Sequence, residues 1–236
     1  MSIKRAFVAG ATGYTGGALV RHLISRNVET YAHIRPESST LPESQQALTD
    51  AGAMVDKTPW ELDDMTATLE QIQPTHVFFV IGTTKKRMRN ESGDNSYEAV
   101  DYGLAKMLLD ASVASEAEPV FVYLSAQGAK EGASTAYYRA RWKAEQDVRH
   151  SGLPYVIARP GFISGGDRDE SRPMERVGSV LASATASVVG AFGADKLKDK
   201  LEPRDASEMA RELAVAALNP DCHNKTLESE ELRALT

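Results

Sequence analysis

A single cysteine, Cys222, in 236 residues rules out an intrachain disulfide framework and a cysteine-based metal cluster, and no metal site is expected. Positive charge is also short. The 27 Lys and Arg against 33 Asp and Glu leave a formal charge of −6, which argues against a general affinity for nucleic acid or for an anionic membrane. No stretch reaches the roughly 18 uninterrupted apolar residues of a membrane span, so no membrane insertion is expected. The first apolar run begins near Ile3, too early for a signal peptide ahead of it, and with the lone cysteine this leads to an expectation of cytoplasmic residence. Internal repeats, low-complexity tracts and interdomain linkers are missing as well. What remains is a length suited to one large α/β domain, with room for a small appended lobe and a substantial core.

Glycine is concentrated where it counts. Residues 10–16 read Gly-Ala-Thr-Gly-Tyr-Thr-Gly, after the apolar run Ala6 to Ala9 and before a helical pattern through Ala18, Leu19, Leu23 and Ile24. In a strand-turn-helix unit Gly10 permits the tight turn, Gly13 lets backbone approach a pyrophosphate, and Gly16 lets the helix pack against the strand. Amides at the helix N-terminus, around Thr12, Tyr14 and Thr15, then meet the anion. Further short apolar runs recur at Val28 to Ile34, Ala53 to Asp56, Val77 to Ile81, Val120 to Leu124 and Tyr155 to Ala158. They alternate with helical patterns such as Val100, Leu104, Met107, Leu108 and Ala111, or Met209, Leu213, Ala216 and Ala217. The alternation predicts a doubly wound parallel sheet, a Rossmann fold spanning 1–236, with 161–203 as a substrate-side insertion forming a small C-terminal lobe. Within it, Val177, Val180, Leu181, Ala184 and Val188 describe an amphipathic helix whose apolar face goes to the core or to a homodimer contact.

Ligands of such sheets bind beyond the carboxyl ends of the strands. After the second run stands Arg35, where an NAD-specific chain usually carries an acid, so its guanidinium suits the 2′-phosphate of NADP(H); a surface arginine beside Pro36 is the plainer alternative. Asp56, after the third, is placed to bind the adenine amino group or merely to cap its own turn. Gly82, Thr83 and Thr84 follow the fourth, where the chain passes the cofactor's ribose and phosphates, and the basic run Lys85, Lys86, Arg87 and Arg89 beyond them reads as a solvated loop. The fifth ends at Ser125, ahead of a helix holding Tyr137, Tyr138, Arg139 and Lys143. A carbonyl reductase needs a hydroxyl to orient the carbonyl, a tyrosine to protonate it and a lysine to assist the tyrosine. Tyrosine and lysine share a helix face only at four-residue separation, yet Tyr138 lies five residues before Lys143, about 140° around a regular helix. Either the helix begins after Tyr138, or it contains an irregular turn, or the standard proton donor is gone.

These residues resemble the atypical short-chain dehydrogenase/reductase superfamily, and within it the Tat-interactive-protein-like oxidoreductases. The resemblance rests on Gly10 to Gly16, Ile81-Gly82-Thr83-Thr84, Tyr123 to Ala129, Arg159-Pro160-Gly161 and Gly166 to Pro173. It implies a Rossmann fold, NADP(H) binding, Ser125 and Lys143 at the serine and lysine positions, and Pro160, Gly161 and Phe162 against the nicotinamide. Lys143-Ala144-Glu145 matches the family's lysine and its successors, so Arg139 stands where the tyrosine belongs and Tyr138 is the substitute proton donor. The function expected is NADP(H)-dependent reduction of a small carbonyl or enone by Ser125, Tyr138 and Lys143. The competing reading is a regulatory NADP(H)-binding protein without chemistry. A nucleotide-sugar epimerase ranks last, because only about 75 residues follow Pro160.

Overall fold

The computed structural model describes residues 4–36, 41–82, 96–161, 163 and 204–236. Seven parallel strands form one sheet in the order β3-β2-β1-β4-β5-β6-β7. They are β1 (Arg5–Ala9), β2 (Glu29–His33), β3 (Met54–Asp56), β4 (His76–Phe79), β5 (Val120–Leu124), β6 (Tyr155–Arg159) and β7 (Lys225–Glu228). Helices α1 (Tyr14–Ser25), α2 (Leu41–Asp50), α3 (Leu62–Ile72), α4 (Leu104–Ala114), α5 (Ala136–His150), α6 (Ala206–Leu218) and α7 (Ser229–Arg233) connect and cover them. This is the Rossmann arrangement the alternating pattern predicts, with the order of strand addition reversing between β1 and β4.

The central strands β1, β4, β5 and β6 are buried on both faces, which is why they read as apolar runs. Ala6 and Val8 of β1, Phe78 of β4 and Val122 of β5 pack with α1 and α6. Their alternates Phe7, Ala9, Phe79, Phe121 and Tyr123 pack with α3, α4 and α5 on the other face. The seventh strand escapes the sequence reading because Lys-Thr-Leu-Glu buries only Leu227. It lies at the sheet's edge, paired to β6 from Val156↔Lys225 to Arg159↔Glu228.

Two local features set up the site. A π-helical turn, Tyr97–Gly103, opens into α4 and begins where Ser96 accepts a hydrogen bond from the Ala99 amide. Helix α5 begins at Ala136, where the Thr135 hydroxyl accepts from the Tyr138 amide, and runs regularly to His150. Beyond β6 the chain reaches Ile163, which forms a parallel bridge with Arg204. Arg204 is buried, its guanidinium bonded to Glu212 at 3.0 and 2.9 Å, to the Ser229 hydroxyl at 2.8 Å and to the Ser229 carbonyl. Of the expected 161–203 insertion only Gly161 and Ile163 are described; the rest, with the 177–188 helix, lies outside the described residues.

Candidate active site

The glycine turn has the geometry its spacing implies. Gly10 sits at φ +98°, and a side chain there would strike Val80 and Ile81 of the neighbouring strand exit at 3.0–3.1 Å. A Cβ at Gly16 would lie 2.0 Å from the Gly10 carbonyl oxygen, so the first turn of α1 touches the backbone leaving β1. Gly13 is the N-cap of α1 and provides no side-chain cap, and the first turn carries no acid. The N-terminal amides of α1 are thus left to an anion, with Thr12 and Tyr14 exposed beside them and Thr15 buried. These features fit the pyrophosphate of a dinucleotide.

Arg35 follows β2 by two residues, at the sheet end where an adenosine ribose lies in this fold. Asp56 serves its own turn. Its carboxylate accepts from the Thr58 amide at 3.1 Å and the Thr58 hydroxyl at 2.9 Å, and lies 4.0 Å from the buried His33 ring. Thr83, Thr84, Phe162 and the basic run after Thr84 lie outside the described residues. Pro160 is buried, and its carbonyl accepts from the Gln127 amide at 3.0 Å, tying the exit of β6 to the loop after β5.

Helix α5 departs from the sequence expectation. Because α5 is already regular at Tyr138, neither a late start nor an irregular turn brings Tyr138 and Lys143 onto one face. Lys143 turns to the π-helical turn: its Nζ bonds Glu98 Oε1 at 2.6 Å and stands 3.8 Å from the Tyr102 ring centroid, with half the side chain in solvent. That contact with Glu98 raises its pKa. Tyr138 lays its ring on Gly128, whose φ is +96°. Burial raises its pKa, with Tyr137 adding to the effect, which is the wrong direction for a proton donor.

It is Arg141 that reaches the strand ends. Its guanidinium donates to the Leu124 and Ile81 carbonyls at the ends of β5 and β4, and to Asp101 Oδ1 of the π turn at 2.6 Å. It lies directly under Gly82, where a Cβ would meet Nη2 at 2.7 Å. Four residues before it, on the same helix face, the Tyr137 ring covers the guanidinium at 5.3 Å, while buried Tyr123 flanks it at 5.6 Å. Burial alone would disfavour the charge, but Tyr123, Tyr137 and Asp101 more than offset it and keep Arg141 protonated. The tyrosine and cation that share a face are therefore Tyr137 and Arg141. The signal was legible in the sequence as Tyr137, Arg141 and Glu145 at four-residue steps; alignment on Lys143 hid it.

Ser125 is tied down. Its hydroxyl donates to Glu145 Oε1 at 2.6 Å, and that fully buried carboxylate also receives Arg159 at 2.8 and 2.6 Å and Arg149 at 2.9 Å. The serine hydrogen is committed to Glu145, so the hydroxyl offers lone pairs and no proton to a substrate carbonyl.

A parallel sheet ordered 3-2-1-4-5-6-7, a glycine turn feeding α1 and a tyrosine-cation pair at the strand ends define an atypical short-chain dehydrogenase/reductase-like protein that binds NAD(P). The chain belongs to the NAD(P)H-binding family, which it matches over residues 10–212. It is 31% identical over 217 residues to "Protein fmp52, mitochondrial" of Aspergillus clavatus, covering 89% of this chain and 85% of that one. It is 28% identical over 177 residues to "Protein TIC 62, chloroplastic" of Pisum sativum, covering 66% of this chain and 32% of that protein. Among solved structures it superposes on AtPrR2 with NADP+ and (+)-pinoresinol at a TM-score of 0.65, with 16% identity and coverage of 98% and 74%. UDP-glucose 4-epimerase of Thermotoga maritima, solved with UDP-glucose, gives a TM-score of 0.64 at 14% identity, covering 98% and 80%.

These relatives overturn the expectation of cytoplasmic residence, since their names place them in mitochondria or chloroplasts. A lone cysteine reports only that no disulfide framework exists and does not distinguish one reducing compartment from another. No helix among the described residues is long and apolar enough to cross a membrane.

Proposed function

We propose that this protein is an NADP(H)-dependent oxidoreductase of a small carbonyl or enone substrate, with Tyr137 as proton donor and Arg141 as the charge beneath it. The supporting observation is the Tyr137 ring seated over the Arg141 guanidinium, itself bonded to the carbonyls that end β4 and β5. The glycine turn and the α1 amides hold the pyrophosphate, Arg35 the 2′-phosphate, Asp56 the adenine edge, Gly82 the ribose side and Pro160 the nicotinamide side. A bound reduced nicotinamide supplies hydride. Tyr137 gives its hydroxyl proton to the substrate oxygen, and the fixed Arg141 charge compensates the negative charge developing on the ring oxygen. Unlike a lysine, this guanidinium cannot release a proton, so Tyr137 is reprotonated from solvent.

Calorimetric titration with NADPH and NADH is the first test. NADPH should bind at least tenfold more tightly, and Arg35→Ala should erase the preference; binding of neither nucleotide would remove the enzyme reading. Tyr137→Phe should lower turnover by about 100-fold or more with NADPH affinity unchanged, whereas Tyr138→Phe should stay within a few-fold. The commitment of the Ser125 hydroxyl to Glu145 favours the regulatory alternative. Under it, NADPH binds and Tyr137→Phe changes no reaction rate.

A further inference from the structure

Resting on that reading, we infer that the substrate side of the site takes a planar, conjugated carbonyl, of the quinone or aryl-enone class, and discriminates against phosphorylated and sugar substrates. Three half-buried tyrosines meet beside the strand ends. Tyr97, at the start of the π turn, sets its ring at 64° to Tyr137 with centroids 5.3 Å apart, and Tyr137 meets Tyr138 at 59° and 5.1 Å. Rings inclined by about 60° make a corner, in which a flat molecule lies on one face while its rim meets the edge of the next.

The walls are fixed in place. Tyr137 is held from below by Arg141, and Tyr138 rests on Gly128, where a Cβ would approach the ring to 3.4 Å. Tyr97 follows directly on the Ser96 cap. The corner adjoins the proposed proton donor because Tyr137 belongs to both.

Among the described residues, the cations around it are spoken for. Arg141 is bonded to Asp101, Arg139 Nη1 to the Ala133 and Ser134 carbonyls at 2.9 Å each, and Lys143 to Glu98. The described part of the corner is therefore aromatic, a surface that rewards an uncharged π-system over a phosphate or carboxylate.

Menadione and UDP-glucose, each titrated into the NADP+-saturated protein by calorimetry, separate the possibilities, with NADPH oxidation by menadione, butanal or UDP-glucose as a second readout. Menadione should bind, and Tyr97→Leu and Tyr138→Leu should each weaken it about tenfold. Tyr97→Phe and Tyr138→Phe should retain it, because the ring and not the hydroxyl is the contact. Thermal melts of the Leu variants within a few degrees of the parent would keep a folding defect out of the comparison; larger shifts would move the test to the Phe variants, where a tenfold loss overturns the inference. UDP-glucose binding with menadione rejected overturns it, as does turnover of butanal with no response to menadione; both leave the reductase or a nucleotide-binding function standing. Failure of every carbonyl to oxidise bound NADPH overturns the proposed reaction, while menadione binding still reports on the corner itself.

Discussion

His76 begins β4 inside the core, 6% exposed, with Nδ1 2.8 Å from the Thr75 hydroxyl and Nε2 3.2 Å from the Ala217 carbonyl. Burial, reinforced by Lys4 and by His223, which also reaches the Ala217 carbonyl, lowers its pKa to about 4. An unfolded histidine titrates near 6.5, so between that value and about 4 the unfolded chain takes up a proton that the folded protein refuses. Stability is therefore complete above pH 6.5 and falls on acidification, by about 3 kcal/mol at pH 4 from this group. Urea unfolding at pH 7 and pH 4.5 should show the loss, and His76→Gln should flatten it. At the same scale Gly16→Ala sets a methyl 2.0 Å from a backbone oxygen that cannot rotate away. It should cost about 2 kcal/mol in thermal unfolding and abolish NADPH binding, because the shift it forces moves the α1 amides.

Among the elements, α5 carries most of the site, and its legibility divides cleanly. The apolar runs announced β1, β4, β5 and β6 because a strand buried on both faces leaves no polar alternation to misread. β7 stayed hidden because an edge strand with one buried residue has no such signature. The π turn was equally invisible, since Tyr97 to Gly103 carries no residue pattern that separates it from ordinary α-helix. Within α5, composition announced a tyrosine-cation pair, but two adjacent tyrosines and two nearby cations left the phase open until the Thr135 cap fixed it. The pair Arg141–Asp101 then acts as a clip across the ends of β4 and β5. Arg141→Met removes the guanidinium facing a buried carboxylate and should destabilise by about 3–5 kcal/mol, measured by urea unfolding, and adding Asp101→Asn should restore part of that loss.

At the scale of the molecule, a run of ion pairs ties together the elements of the C-terminal half. Glu145 of α5 reaches Arg159 of β6, which reaches Glu228 of β7 at 2.9 Å, so the hydroxyl of Ser125 is connected through three charged side chains to the far edge of the sheet. Arg204 makes the corresponding junction between the start of α6 and α7 through Glu212 and Ser229. Arg204→Met should lower the melting temperature by about 10 °C, whereas the double change Arg204→Met/Glu212→Leu should recover much of it, because the single change strands a carboxylate and the double one does not. The Ile163–Arg204 bridge sets side by side two residues that are 41 apart in the sequence. The exit from β6 and the entry to α6 are thereby held as one unit, so a displacement of either is handed on to the other.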